Sequence, residues 1–177
     1  MLGWGGLGSK KATERPRWLS ARVALFIATS AAVVVLDRWT KELAIEHLLE
    51  RGVPSRPILG EYIRLTYVEN RGAAFGLLQD QTYFFIVVGV IVIGVIIASY
   101  RYVPEPSWFL NLCLGLQMGG AIGNLIDRVR DGYVVDFIDL TFWPVFNIAD
   151  SAICVGVAGL AISVLFPPRE RQLEHRA

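Results

Sequence analysis

Two aspartates in this 177-residue chain stand where a carboxylate is expensive. Asp136 is enclosed by Val134, Val135, Phe137 and Ile138, Asp150 lies among Asn147, Ile148, Ala149, Ala152 and Ile153, and neither has a basic residue beside it. Apolar surroundings disfavour the ionised form, and two such groups brought together share a proton, one staying acid while the other is base. A pair of that kind activates water for amide hydrolysis. A continuous helix would hold residues fourteen apart at about 21 Å, but Gly132 and Pro144 interrupt the segment and let it fold back. Asn147, three residues before Asp150, can reach the same helical face and hold a carboxylate in position.

The other polar residues nearby invite plainer readings. Asn124, Asp127 and Arg128 fall within one helical turn and can cross-link on one face, with Asp127 an ion-pair partner of Arg128 or another base. Asp131 before Gly132 reads as a turn residue, and Asp139 and His47 as solvated. Cys113 and Cys154 fall at depths differing by roughly 10 Å or more, beyond the ~7 Å Cα separation a disulfide tolerates, and read as packing residues. There is no zinc-ligand spacing, phosphate loop or internal repeat, and a net charge of +1 gives no reason to expect nucleic acid.

The elements that must carry the aspartates are membrane spans. Hydrophobic residues make up 54% of the chain and the mean hydropathy is +0.46. Charges are nearly excluded from four windows, residues 19–36, 83–100, 108–126 and 146–166, which hold only Arg22 and Asp150 between them. Each is near the roughly 20 residues that cross a ~30 Å hydrocarbon core. Buried helices of a soluble domain would have to account for VVGVIVIGVIIAS, which has no polar face at all, and membrane spans account for it directly. Gly115, Gly119, Gly120 and Gly123 give the third window a small-residue surface for close packing in lipid. The first window, preceded by Lys10, Lys11, Arg15 and Arg17, has the outline of a cleaved signal peptide, but its length and the DRWTK that follows favour an anchor.

Between the first two windows, DRWTKELAIEHLLERG reads as an amphipathic continuation of the first helix near the interface. YIRLTYVEN, where Ile63, Leu65 and Tyr67 alternate with Arg64 and Thr66, reads as a half-buried strand. The expected fold is an integral membrane protein, mainly α, with four transmembrane helices and a small β-sheet and amphipathic segment on the outer face. It is one membrane domain over residues 1–177, with tails 1–18 and 167–177 and outer-face segments 37–82 and 127–145. Lys plus Arg number nine on inner and eight on outer segments, so the raw count does not orient the chain. Five basic residues at or before the start of the first helix, and Arg169, Arg171 and Arg176 after the last, put both termini in the cytoplasm. A proton-coupled transporter would spread ionisable residues through the depth of the spans, yet residues 83–100 have none and the others cluster at one rim.

NRGAAFG at Asn70 to Gly76, GNLIDR at Gly123 to Arg128, GYVVDFID at Gly132 to Asp139 and FNIADS at Phe146 to Ser151 resemble the signature blocks of the lipoprotein signal peptidases, the type II signal peptidases of bacterial membranes. The blocks stand in that family's order and the resemblance extends from DRWTK at Asp37 through the fourth window. It implies a four-helix aspartic endopeptidase of the bacterial inner membrane, with no metal or cofactor. The implied substrates are prolipoproteins carrying a diacylglyceryl group on a cysteine, cut just before that cysteine. Carried over, the catalytic pair falls on Asp136 and Asp150, and the supporting polar residues on Asp37, Asn70, Asn124, Arg128 and Asn147. Its expected partners are that lipid-modified substrate and membrane lipid, and the chain is expected to act as a monomer. The extension Met1 to Arg17 departs from the family.

Overall fold

The computed structural model describes residues 17–72, 78–102 and 107–166. Both expected tails beyond those limits, and residues 73–77, which include the AAFG of NRGAAFG, lie outside the described residues. The chain is mainly helical, with a three-stranded antiparallel sheet. Four of its helices are long and apolar enough to cross a membrane.

Helix α1 (Arg17–Ala44) passes through the polar DRWTK without a break and closes in a π-helical turn over Ile45–Leu49. No glycine or proline intervenes until Gly52, which ends the run at φ +66°. The amphipathic continuation expected after Leu36 is thus the same helix. Leu48 and Ala44 pack against Phe137 and the half-buried Leu65, Tyr67, Ile138 and Ile148. His47 is exposed, as expected.

Strand β1 (Ser55–Leu59) lies at the sheet edge, where Pro57 is tolerated because no neighbour needs its missing N–H. Gly60 at φ +57° turns the chain into β2 (Ile63–Asn70), the central strand. Strand β3 (Val134–Asp139) pairs antiparallel with β2, setting Asp136 opposite Val68 and Val134 opposite Asn70. The sequence reading missed this strand, because VVDFID carries aspartates inside a β-branched run and shows no clean alternation. Asp139 departs from the solvated role expected of it. It is half-buried, accepting from Thr66 Oγ1 at 2.7 Å and from the backbone N–H of Thr141 at 2.8 Å.

Helix α2 (Thr82–Tyr102) is almost wholly exposed apolar surface, with Ile96 its one buried described side chain. Helix α3 (Trp108–Arg130) is the hub, touching α1, α2 and α4 (Ile148–Leu165). Its glycines act as the small-residue pattern implied. A β-carbon on Gly119 would lie 2.6 Å from Val33 Cβ and 2.7 Å from Ser30 O, and one on Gly120 would lie 2.4 Å from Ala149 O. One face admits α1 and the next admits α4. The helix runs a turn beyond Ile126, so Asp127 and Arg128 are helical, and it stops at Asp131 and Gly132 (φ +82°), as the turn reading required. Cys113 is buried and Cys154 exposed, and both are free thiols.

Candidate active site

The end of β3, the end of α3 and the start of α4 meet at one rim of the helical bundle. Asp136 is only 1% exposed on β3. Asp150 sits in the first turn of α4, half-buried. Asn147 fixes that turn. Its side chain accepts from the Asp150 backbone N–H at 2.9 Å, and its own backbone N–H donates to Asp150 Oδ2 at 3.2 Å. This reciprocal cap satisfies two of the orphan donors at a helix start.

A chain of side-chain amides joins the two carboxyls. Asn70 Nδ2 donates to Asp136 Oδ2 (2.9 Å) and Asn147 Nδ2 to Asp136 Oδ1 (2.7 Å). Asn147 Nδ2 also reaches Asn124 Oδ1 (3.2 Å), and Asn124 Nδ2 donates to Asp150 Oδ1 (2.7 Å). Lys41 Nζ approaches the same Asn124 oxygen at 3.3 Å. With two donors on its oxygen side, Asn124 must turn its NH₂ toward Asp150; the flipped amide would set donor against donor and acceptor against acceptor.

Behind this chain lies a buried ionic layer. Lys41 contacts Asp37 Oδ2 at 2.6 Å and Asp127 Oδ2 at 2.7 Å, and Arg38 meets Asp127 Oδ1 at 2.6 Å. Asp37 Oδ1 also accepts the backbone N–H of Ala149 at 3.0 Å, tying the middle of α1 to the head of α4. A buried charge is tolerated only when paired and hydrogen-bonded, and each of these is. Asp127 is therefore paired with Lys41 and Arg38 on α1 instead of Arg128. The expected cross-link within Asn124, Asp127 and Arg128 reduces to the Arg128 Nη1 contact with the Asn124 backbone oxygen at 3.4 Å. Arg128 also donates to Gly72 O at 3.4 Å and lies 5.1 Å over the Phe85 ring.

Asp136 and Asp150 open together on a cavity of about 570 Å³ with Asn70 and Arg128. Leu140, Phe142, Trp143, Pro144 and Val145 line its apolar side. Burial first, and the nearby Asp150 charge second, push the Asp136 carboxyl up to about 7, against the opposing pull of Asn70, Asn147 and Lys41. A carboxyl that keeps its proton near neutrality beside a second carboxyl can run acid and base chemistry on one water.

Of the residues expected at the site, Asp136, Asp150, Asn70, Asn124, Arg128 and Asn147 come together at this rim, and Asp37 stands one layer behind. The sequence reading missed Lys41 and Arg38. The i,i+4 spacing of Asp37 and Lys41 was the available signal, since it predicts a pair on one helical face.

Known proteins resemble this chain over most of its length. The family model described as Signal peptidase (SPase) II matches residues 29–166. The lipoprotein signal peptidase of Caldanaerobacter subterraneus subsp. tengcongensis is 54% identical over 141 residues, 79% of this chain and 95% of that protein. That of Moorella thermoacetica is 46% identical over 149 residues, 84% and 98% of the two chains. A solved bacterial membrane enzyme superimposes with a TM-score of 0.69 at 31% identity, covering 81% of this chain and 88% of the other. A second gives 0.68 at 30% identity, covering 82% and 96%.

Proposed function

This chain belongs to the signal peptidase II family, and on that premise we propose that Asp136 and Asp150 are its catalytic pair. The enzyme is a multi-pass peptidase of the bacterial inner membrane that removes signal peptides from prolipoproteins. Its cut falls before a cysteine that already carries a diacylglyceryl group. The observation that carries the residue assignment is the shared cavity, in which two carboxyls joined by amides face one apolar wall.

Asp136, with its carboxyl pushed up to about 7, still carries its proton in a substantial share of molecules at neutral pH, where an ordinary aspartate carries almost none. Asp150, the other carboxyl facing the cavity, is the base. Asp150 takes a proton from water as the oxygen attacks the scissile carbonyl carbon. Asp136 gives its proton to the carbonyl oxygen, and a gem-diol forms. Collapse breaks the C–N bond, the proton on Asp150 passes to the departing nitrogen, and Asp136 recovers its proton from a diol hydroxyl. Asn70, Asn124 and Asn147 hold the carboxyls in place. Arg128 keeps a positive charge at the cavity wall, and Asp37 anchors the head of α4. One chain supplies both aspartates, so a monomer suffices. Both termini lie in the cytoplasm and the rim faces outward, where an exported prolipoprotein presents its cut site.

Purified protein incubated with a lipid-modified prolipoprotein and with its unlipidated form should cleave only the first. Asp136→Asn and Asp150→Asn should each lower the rate about 10²- to 10⁴-fold while remaining folded by circular dichroism. Near wild-type turnover in both variants would sink the assignment.

A further inference from the structure

The apolar wall of the catalytic cavity begins at a backbone conformation that its own residue disfavours. Thr141 has φ +61°, a region that β-branched side chains rarely enter. The Phe142 N–H closes on Leu140 O at 2.7 Å around it, a three-residue turn whose positive-φ form is strained. Leu140 and Phe142, on either side of Thr141, both line the cavity, as do Trp143, Pro144 and Val145 beyond. Phe142 is 78% exposed, so packing does not hold the turn in that shape.

The Ile138–Phe146 backbone bridge closes the loop at its base, and within the loop the side chain that holds the turn at Thr141 is Asp139. Its Oδ1 accepts the Thr141 backbone N–H at 2.8 Å and its Oδ2 accepts Thr66 Oγ1 at 2.7 Å. Because Thr66 spends its proton on Asp139, it must accept from Ser55 Oγ, 2.9 Å away. Ser55 in turn accepts Arg64 Nε at 3.0 Å. The result is one directed run of donors across the sheet, ending on the Asp139 carboxylate, which also accepts the N–H of the strained residue.

We propose that Asp139 is a positioning residue that latches the 140–145 wall against the sheet and thereby sets affinity for the apolar part of the lipid-modified substrate. It touches neither the scissile bond nor the aspartate pair, and the inference rests on the catalytic reading of the cavity given above. The latch and the turn are coupled through backbone conformation. A glycine at 141 enters φ > 0 without the steric penalty, so it removes the need for the latch.

The test is steady-state cleavage of the lipid-modified prolipoprotein by purified wild type, Asp139→Ala, Thr141→Gly, the double variant, and Thr66→Val, which cuts the chain one link earlier and leaves Asp139 in place. Asp139→Ala should raise KM about tenfold with kcat within about threefold, the pattern of lost binding shared by ground and transition states. Thr66→Val should shift KM in the same direction by less. The double variant should return KM to within about threefold of Thr141→Gly alone, since coupled residues are non-additive. An unchanged KM in both Asp139→Ala and Thr66→Val overturns the latch. So does a double variant as weak as Asp139→Ala, or a fall in thermal midpoint with kcat and KM untouched, which is the mark of a structural role alone. Wild type and Asp136→Asn in the same assay separate this outcome from failure of the catalytic reading.

Discussion

A carboxyl that titrates near 7 makes the activity of this enzyme sensitive to pH where most aspartates are not. Asp136 has its folded-state value raised from 3.8 to about 7, chiefly by burial. If it supplies the proton to the carbonyl oxygen, kcat/KM should fall as pH rises through about 7, an alkaline limb that a pH–rate profile would display or lack. The same shift acts on stability with a definite sign. A raised carboxyl value favours the protonated folded state, so its contribution is fully present below about 3.8, is lost as pH climbs toward 7, and stays lost above. Asp136→Asn removes the ionisation, so its thermal midpoint should gain on wild type between pH 5 and pH 8. A midpoint difference that does not change with pH would count against the burial argument. At this scale the sequence was informative where local surroundings decide. The apolar neighbours of Asp136 and Asp150 singled them out before any fold was known. Arg38 and the true partners of Asp127 were not legible, because Arg38 meets Asp127 across 89 residues' separation, which no local window contains; for Lys41 only its i,i+4 pairing with Asp37 could be read.

Among the elements, α3 is where the packing is least forgiving. A β-carbon on Gly119 would overlap Val33 and Ser30 of α1, whereas one on Gly94 of α2 meets nothing within 4 Å. Gly119→Ala should therefore cost about 1–3 kcal/mol of stability, and Gly94→Ala should stay within about 0.5 kcal/mol. Thermal unfolding in one detergent would check the contrast, and equal effects would show that the two interfaces do not differ. The glycine spacing and the spans were readable because lipid exposure leaves a simple compositional trace. Strand β3 was not, since its pairing with β2 sets the period and a buried aspartate, Asp136, stands inside it. The end of α3 was set too early, at residue 126, because the charge at Asp127 looks like the end of a span when it belongs to the buried ionic layer with Lys41 and Arg38.

For the whole molecule, the proposed chemistry depends on which side of the membrane the rim faces. A single cysteine at Glu61, in the exposed turn between β1 and β2, should be labelled by an impermeant thiol reagent on intact spheroplasts. One at Glu174 should be spared, both in a background lacking Cys113 and Cys154. The reverse pattern would put the aspartates on the cytoplasmic side and remove them from any exported substrate. Four spans and a small sheet were legible from hydropathy and alternation. How the sheet brings Asp136 to the head of α4 was not, because it depends on the Phe146 bridge to Ile138 that folds the 140–145 loop back. One feature of that head reaches past the present enzyme to its descendants. Asp150 closes the cap of α4 with Asn147 as well as facing the cavity, so a lineage that abandoned proteolysis would still be selected to keep it for folding. Asp136 accepts from Asn70 and Asn147 but caps no helix, and its burial opposes its own ionisation, so it would drift to an amide or an apolar residue. In a genome survey, then, loss of Asp136 would be the sign of a retired enzyme, and retention of Asp150 would say little.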